Sequence, residues 1–101
     1  MNNNQDFSLQ SAILMKLIGA ILEKKGITHQ QIAGLTGFER SSVTRMLSGR
    51  FSPSLANFLK IINAAGLMIY LQDKDNKVSA EEMKDFLEQI AKEENFNTHE
   101  I

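Results

Sequence analysis

A chain of 101 residues, 43% apolar and with a formal charge of −1, is the size of one domain around one modest core. Its composition excludes a disordered or membrane-spanning class: no apolar run reaches the ~18 residues of a span, and MNNNQD lacks the basic-then-apolar order of a secretory leader. The absence of cysteine excludes a disulfide framework, a thiolate nucleophile and a cysteine zinc site, and makes a reducing cytoplasm the economical location.

The near-zero charge conceals an asymmetry. Residues 1–66 carry seven Lys/Arg against three carboxylates, whereas residues 67–101 carry four Lys against nine carboxylates. A basic part suited to a polyanion is joined to an acidic part with another task.

Residues 1–7 are polar and aperiodic, and read as a frayed, disordered tail. From Ser8 to Lys25 the pattern is helical. Leu9, Ile13, Leu17 and Ile21 form one row at i, i+4 spacing and Leu14, Ile18 and Leu22 another, a stripe wider than a surface helix needs. Lys24 and Lys25 followed by Gly26 mark the helix end, with the two lysines solvated. Thr28-x-x-Gln31 is a capping box, and the second helix it opens buries Ile32, Ala33 and Leu35 before ending near Thr36 and Gly37. Phe38 fills the core from the turn. A third helix, from Glu39 or Arg40 to Leu47, buries Val43, Met46 and Leu47 and leaves Arg40, Ser41, Thr44 and Arg45 on the other face; Gly49 closes it.

Ser52-Pro53-Ser54 starts a fourth helix, strongly apolar through Leu55, Phe58, Leu59, Ile61, Ile62 and Ala65 and ended by Gly66. Residues 67–72, LMIYLQ, are a short apolar run between Gly66 and the turn-forming Asp73-Lys74-Asp75-Asn76, which reads as a β-strand. A lone strand leaves both edges open, so pairing with a symmetry mate through Leu67, Ile69 and Leu71 would make a homodimer. Ser79-x-x-Glu82 is a second capping box. It opens a last helix, to about Glu94, with an apolar stripe of Met83, Phe86, Leu87 and Ile90 and a largely acidic opposite face. The residues from Asn95 onward read as frayed.

In register, GITHQQIAGLTGFERSSVTRMLSGRFSPSLANFLKIINAAGL resembles the Xre / lambda-repressor-like helix-turn-helix family. The landmarks are Ile32-Ala33 in the second helix, Gly37 in the turn, Val43 in the third helix, then Gly49, Pro53 and the Leu55, Leu59, Ile61 row. The resemblance covers roughly residues 17–67. Beyond it, FLKIINAAGLMIYLQDKD is similar to HipB-type antitoxins, in which a strand after the fourth helix pairs across a homodimer.

The resemblance implies a mainly α fold: a lambda-repressor-like bundle of four helices, then one short dimer-pairing β-strand and a C-terminal helix. Residues 8–66 would be the DNA-binding domain and residues 67–101 the dimerisation or partner segment. It further implies a sequence-specific repressor bound to double-stranded DNA as a homodimer, with the antitoxin of a toxin–antitoxin operon as its finer form and a toxin protein as a candidate partner. Base contacts fall on Arg40, Ser41, Thr44 and Arg45, and phosphate contacts on His29, Ser42, Ser48 and Arg50. The alternative is a protein-interaction module that uses the helix-turn-helix as scaffold and binds a partner through its acidic tail.

Three positions depart from the family. His29 stands where Gln usually binds a phosphate; a histidine can donate to phosphate, or be merely an exposed polar residue. Leu22 and Leu47 replace an Arg–Glu pair, so the two are expected to touch. Glu39 replaces a Ser or Thr cap, although its charge suits a helix N-terminus. Enzyme readings fail on inventory. His29 and His99 stand far apart in the sequence, and no Gly-rich phosphate loop or metal-ligand spacing appears, so no metal, cofactor or catalytic residue is expected.

Overall fold

Apolar residues recurring at helical spacing, punctuated by Gly, Pro and capping residues, produce five helices in the computed structural model, which describes residues 6–96. In order they are α1 (Ser8–Lys25), α2 (His29–Thr36), α3 (Arg40–Leu47), α4 (Leu55–Ala64) and α5 (Ala80–Glu93). The chain divides into two compact units, one ending at Leu67 and the other starting at Met68. Most of the expected frayed ends, and His99, lie outside the described residues.

In the first unit most helix ends are satisfied by nearby groups. α1 has no side-chain cap from Phe7, but the Asp6 carboxylate accepts hydrogen bonds from the Ser8 hydroxyl and amide. Those two bonds hold its carboxyl below the usual range. At the other end Gly26 adopts a left-handed conformation, so its amide donates to the Glu23 carbonyl and that of Ile27 donates to Leu22. Lys25 is more than a solvated helix end, because its ammonium donates to the Ala65 carbonyl beyond α4. α2 has the expected capping box: the Gln31 amide donates to Thr28 Oγ1 and the Thr28 amide to the Gln31 side chain. Ser54 caps α4 through the Asn57 amide.

The core is assembled around α3, which packs on both α1 and α2, while α2 also packs on α4. Met15, Ile18 and Leu22 enter it from α1, Ile32 and Ala33 from α2, Val43, Met46 and Leu47 from α3, and Ile61, Ile62 and Ala65 from α4 and its end. Leu22 and Leu47 are both buried in this layer. One turn earlier on α1, a Cβ built on Gly19 would lie 3.8 Å from that of Leu47, so the two helices run close. Gly49 ends α3 at φ +77°, where a Cβ would lie 2.9 Å from that of Ala12 and 3.1 Å from its Cα. That position needs glycine twice over, for its backbone conformation and for the approach of α1.

Two expectations about burial need correction. Leu35 is 70% exposed; at 3.6 residues per turn it points roughly 110° away from the direction shared by Ile32 and Ala33. On α1, Met15, Ile18 and Leu22 reach the core, while Leu14 of the second row and Leu9, Ile13 and Leu17 of the first remain exposed.

The β-strand expected at residues 67–72 is absent, and the described residues contain no strand at all. The Leu67 amide instead closes α4 by donating to the Ile62 carbonyl, alongside Gly66 donating to Asn63. Leu67 and Ile69 are half-buried, and Leu71, like Met68 and Tyr70, is exposed. A strand exists only through ladder bonds to a neighbour, and the apolar run supplies side chains without supplying that neighbour. Leu67, Ile69 and Leu71, expected to pair with a symmetry mate, thus belong to no strand.

The second unit is simpler. The Asp73 carboxylate accepts from the amides of Asp75, Lys77 and Val78, a turn that leads into α5. These bonds, that of Asp75 foremost and Val78 next, hold its carboxyl below the usual range. The Ser79–Glu82 capping box then opens α5. Asn95, at φ +55°, ends it, with the Phe96 amide donating to Ala91. Ala91 is the buried residue of α5; Phe86, Leu87 and Ile90 are exposed.

Candidate nucleic-acid interface

α3 is anchored on one side and presented on the other. Val43, Met46 and Leu47 are 5% exposed or less, while Arg40, Ser41, Thr44 and Arg45 are all exposed. Spacing of i, i+1, i+4 and i+5 puts those four on one face, as helical periodicity requires. Glu39 precedes them with no side-chain cap bond, so the weaker cap expected there is present in the structure. Its carboxylate still complements the positive helix end.

α2 reaches this face through its first residue. His29 Nδ1 lies 2.8 Å from Thr44 Oγ1, a hydrogen bond between the start of α2 and the middle of α3. The tautomer decides whether Nδ1 accepts from the threonine hydroxyl or donates to it, and either role leaves Nε2 for a further partner. Either way His29 is half-buried and engaged, which makes it more than a solvated polar residue.

Arg45 is also braced. Its guanidinium stands 5.3 Å from the centroid of the Phe51 ring, in the segment after Gly49. A cation within about 6 Å of an aromatic centroid is attracted to the ring, which restrains the guanidinium. The Ser48 hydroxyl donates to the Arg45 carbonyl at 2.7 Å and is therefore already committed as a donor. Ser42 is half-buried and Arg50 exposed. Lys60 of α4 stands 5.4 Å from the Phe38 ring centroid, so the turn aromatic carries a cation as well as filling space.

The structure thus brings Arg40, Ser41, Thr44 and Arg45 together on α3, with His29 bonded to their centre. Phe51 was not singled out by sequence reasoning. The available signal was an aromatic six residues after Arg45, but a ring in a loop takes its direction from the loop's path, which no periodicity encodes.

Chemically, this surface offers two forked guanidiniums and several hydroxyls on a convex helix. An α-helix fits a B-DNA major groove about 12 Å wide, where Arg can grip the O6/N7 edge of guanine bidentately. Among the described residues no group of three or more His, Asp or Glu is placed to hold a metal ion, and no helix is long and apolar enough to cross a membrane.

No curated protein and no solved structure gives a match to the chain. The family model described as Helix-turn-helix matches residues 18–67, which takes in the C-terminal part of α1, all of α2 to α4, and the Leu67 amide that closes α4. The match stops there, so the likeness of the tail to HipB-type antitoxins gains no support from it. Through residues 18–67 the chain belongs to the Xre / lambda-repressor-like helix-turn-helix family of DNA-binding transcription regulators.

Proposed function

We propose that this protein is a sequence-specific repressor that reads DNA with the exposed face of α3. Arg40 and Arg45 take guanine edges, and Ser41 and Thr44 make the shorter contacts beside them. His29, Ser42 and Arg50 hold flanking phosphates, which set register without reading sequence; Ser48 joins them only where its hydroxyl leaves the Arg45 carbonyl. Repression follows from occupancy, because a bound domain blocks other users of the same DNA. The observation that carries this reading is the two-sidedness of α3: three apolar residues locked in the core, with two arginines and two hydroxyls opposite them, one of which is tied to α2. No arrangement of residues singles out an antitoxin role, and the proposal stops at a repressor.

The test is a gel shift on the DNA upstream of the protein's own coding sequence, at several salt concentrations, with the chain and with Arg40→Ala/Arg45→Ala. Each arginine is worth roughly 1–3 kcal/mol of base discrimination, so the double variant should lose most of its preference for that DNA over a scrambled duplex. Arg50→Ala should instead weaken binding to both duplexes alike and lower the salt slope by about 1. Unchanged preference in the double variant would sink the base-reading assignment.

A further inference from the structure

Two hydroxyls of the first unit turn back on the helix that carries them. Thr36 donates to the Ile32 carbonyl at 2.8 Å and Ser48 to that of Arg45 at 2.7 Å. Such a bond commits the hydroxyl proton to the backbone. Thr44 behaves differently. It stands on the exposed face of α3 with Arg40 and Arg45, and its Oγ1 lies 2.8 Å from Nδ1 of His29, the first residue of α2. In a major groove a threonine hydroxyl can bond either a donor or an acceptor edge, so alone it discriminates little. The group that faces it from the protein side decides which role it keeps.

The two ring nitrogens of His29 couple that role to the phosphate contact. A phosphate oxygen only accepts, so a neutral His29 that grips one carries its proton on Nε2. Nδ1 is then an acceptor, the Thr44 hydroxyl donates to it, and Oγ1 turns only lone pairs to the DNA. Lone pairs bond the amino group of cytosine N4 or adenine N6 and are repelled by guanine O6 or thymine O4. A doubly protonated ring reverses the bond. Nδ1–H donates to Oγ1, and the hydroxyl proton is released to any acceptor edge.

We infer that His29 sets the base preference at Thr44. Phosphate, imidazole, hydroxyl and base form one relay, in which a neutral His29 makes Thr44 a reader of amino groups and a protonated one cancels that preference. The inference rests on the repressor reading and deepens it. His29 is the one titratable residue of α2, which packs on α3 and α4. The charged groups there are Glu39 at the α3 cap, Arg40, Arg45 and Lys60. Arg45 stands at Phe51 and Lys60 at Phe38, and the hydrogen bond of His29 is to Thr44 rather than to any of the four. Upstream, Lys24 is exposed and Lys25 is turned to the Ala65 carbonyl.

The test measures binding to the DNA upstream of the coding sequence and to each of its single-base-pair variants. Thr44→Val marks the position that Thr44 reads, as the one whose preference it levels. There the wild-type chain should favour cytosine or adenine by roughly threefold to tenfold at about pH 8, the worth of one hydrogen bond. The preference should level at about pH 5, where an ordinary imidazole is charged, and in His29→Phe at either pH. Positions levelled by Arg40→Ala or Arg45→Ala should not follow pH. In the DNA-bound wild-type chain at about pH 8, nitrogen-15 signals should show a bare Nδ1 beside a protonated Nε2; this needs no variant and stands if His29→Phe fails to fold. A guanine or thymine preference at neutral pH, a cytosine or adenine preference that persists in acid or in His29→Phe, or a protonated Nδ1 in the neutral ring would overturn the inference. So would a Thr44→Val chain that levels no position, whereas the repressor reading stands or falls with the arginine variants.

Discussion

α2 and α5 open with the same device and then diverge. In each, a hydroxyl at the cap accepts from the third helical amide while that residue's side chain reaches back to the cap amide. α2 goes on to bury Ile32 and Ala33 in a core shared with α3 and α4; α5, at fourteen residues, buries Ala91 and leaves its large apolar residues in water. The contrast separates two quantities that a helix assignment merges. A capping box decides where a helix begins, and burial decides how much free energy the helix contributes to the fold.

The contrast would break most visibly in the cores. Ile32, at 0% exposure, should cost about 2–5 kcal/mol on truncation to Ala. Phe86→Ala, at a side chain 53% exposed, should stay within about 0.5 kcal/mol. Urea unfolding followed by circular dichroism measures both, and equal losses would mean that α5 has a core of its own.

A smaller effect sharpens the comparison at the caps. Thr28→Ala should lower global stability by about 0.5–2 kcal/mol, because the helix it starts is part of the cooperative core. Ser79→Ala removes the same bond but should register as faster amide exchange along α5, with the unfolding midpoint of the first unit unmoved.

The smallest expected effect is a pH dependence confined to the turn before α5. Asp73 is held below the ordinary carboxylate range by the amides it accepts from. A depressed folded value means the stabilisation is fully present above the ordinary carboxylate pKa and is lost as pH falls through the lowered one. Amide signals of Asp75, Lys77 and Val78 should therefore shift together only under distinctly acidic conditions. In Asp73→Asn they should be flat across that range.

Much of the fold was legible in the residues because it is local. Both capping boxes, a serine cap beside Pro53, Gly26 and Gly49 as stops, and the buried face of α3 follow from bonds and spacings within a few residues; which serine caps α4, Ser54 rather than Ser52, came from the structure. The outward face of α3 was legible for the same reason: once Val43, Met46 and Leu47 point inward, Arg40, Ser41, Thr44 and Arg45 must point out. The misreadings all concern what stands opposite a side chain. Leu35 and the row Leu9, Ile13, Leu17 are apolar at helical spacing yet uncovered in the chain, and residues 67–72 have strand composition without a strand to pair with.

Local chemistry, then, determined where the helices start and stop and which face of α3 is offered, because caps, turns and periodicity act over one or two turns of chain. Tertiary structure decided the rest. It chose which of the two apolar sides of α1 is core, set Phe51 beside the Arg45 guanidinium, joined His29 to Thr44 across fifteen residues, and denied residues 67–72 a ladder. Each of those outcomes depends on a partner distant in sequence, and an apolar or polar group acquires its structural meaning only from the group that comes to face it.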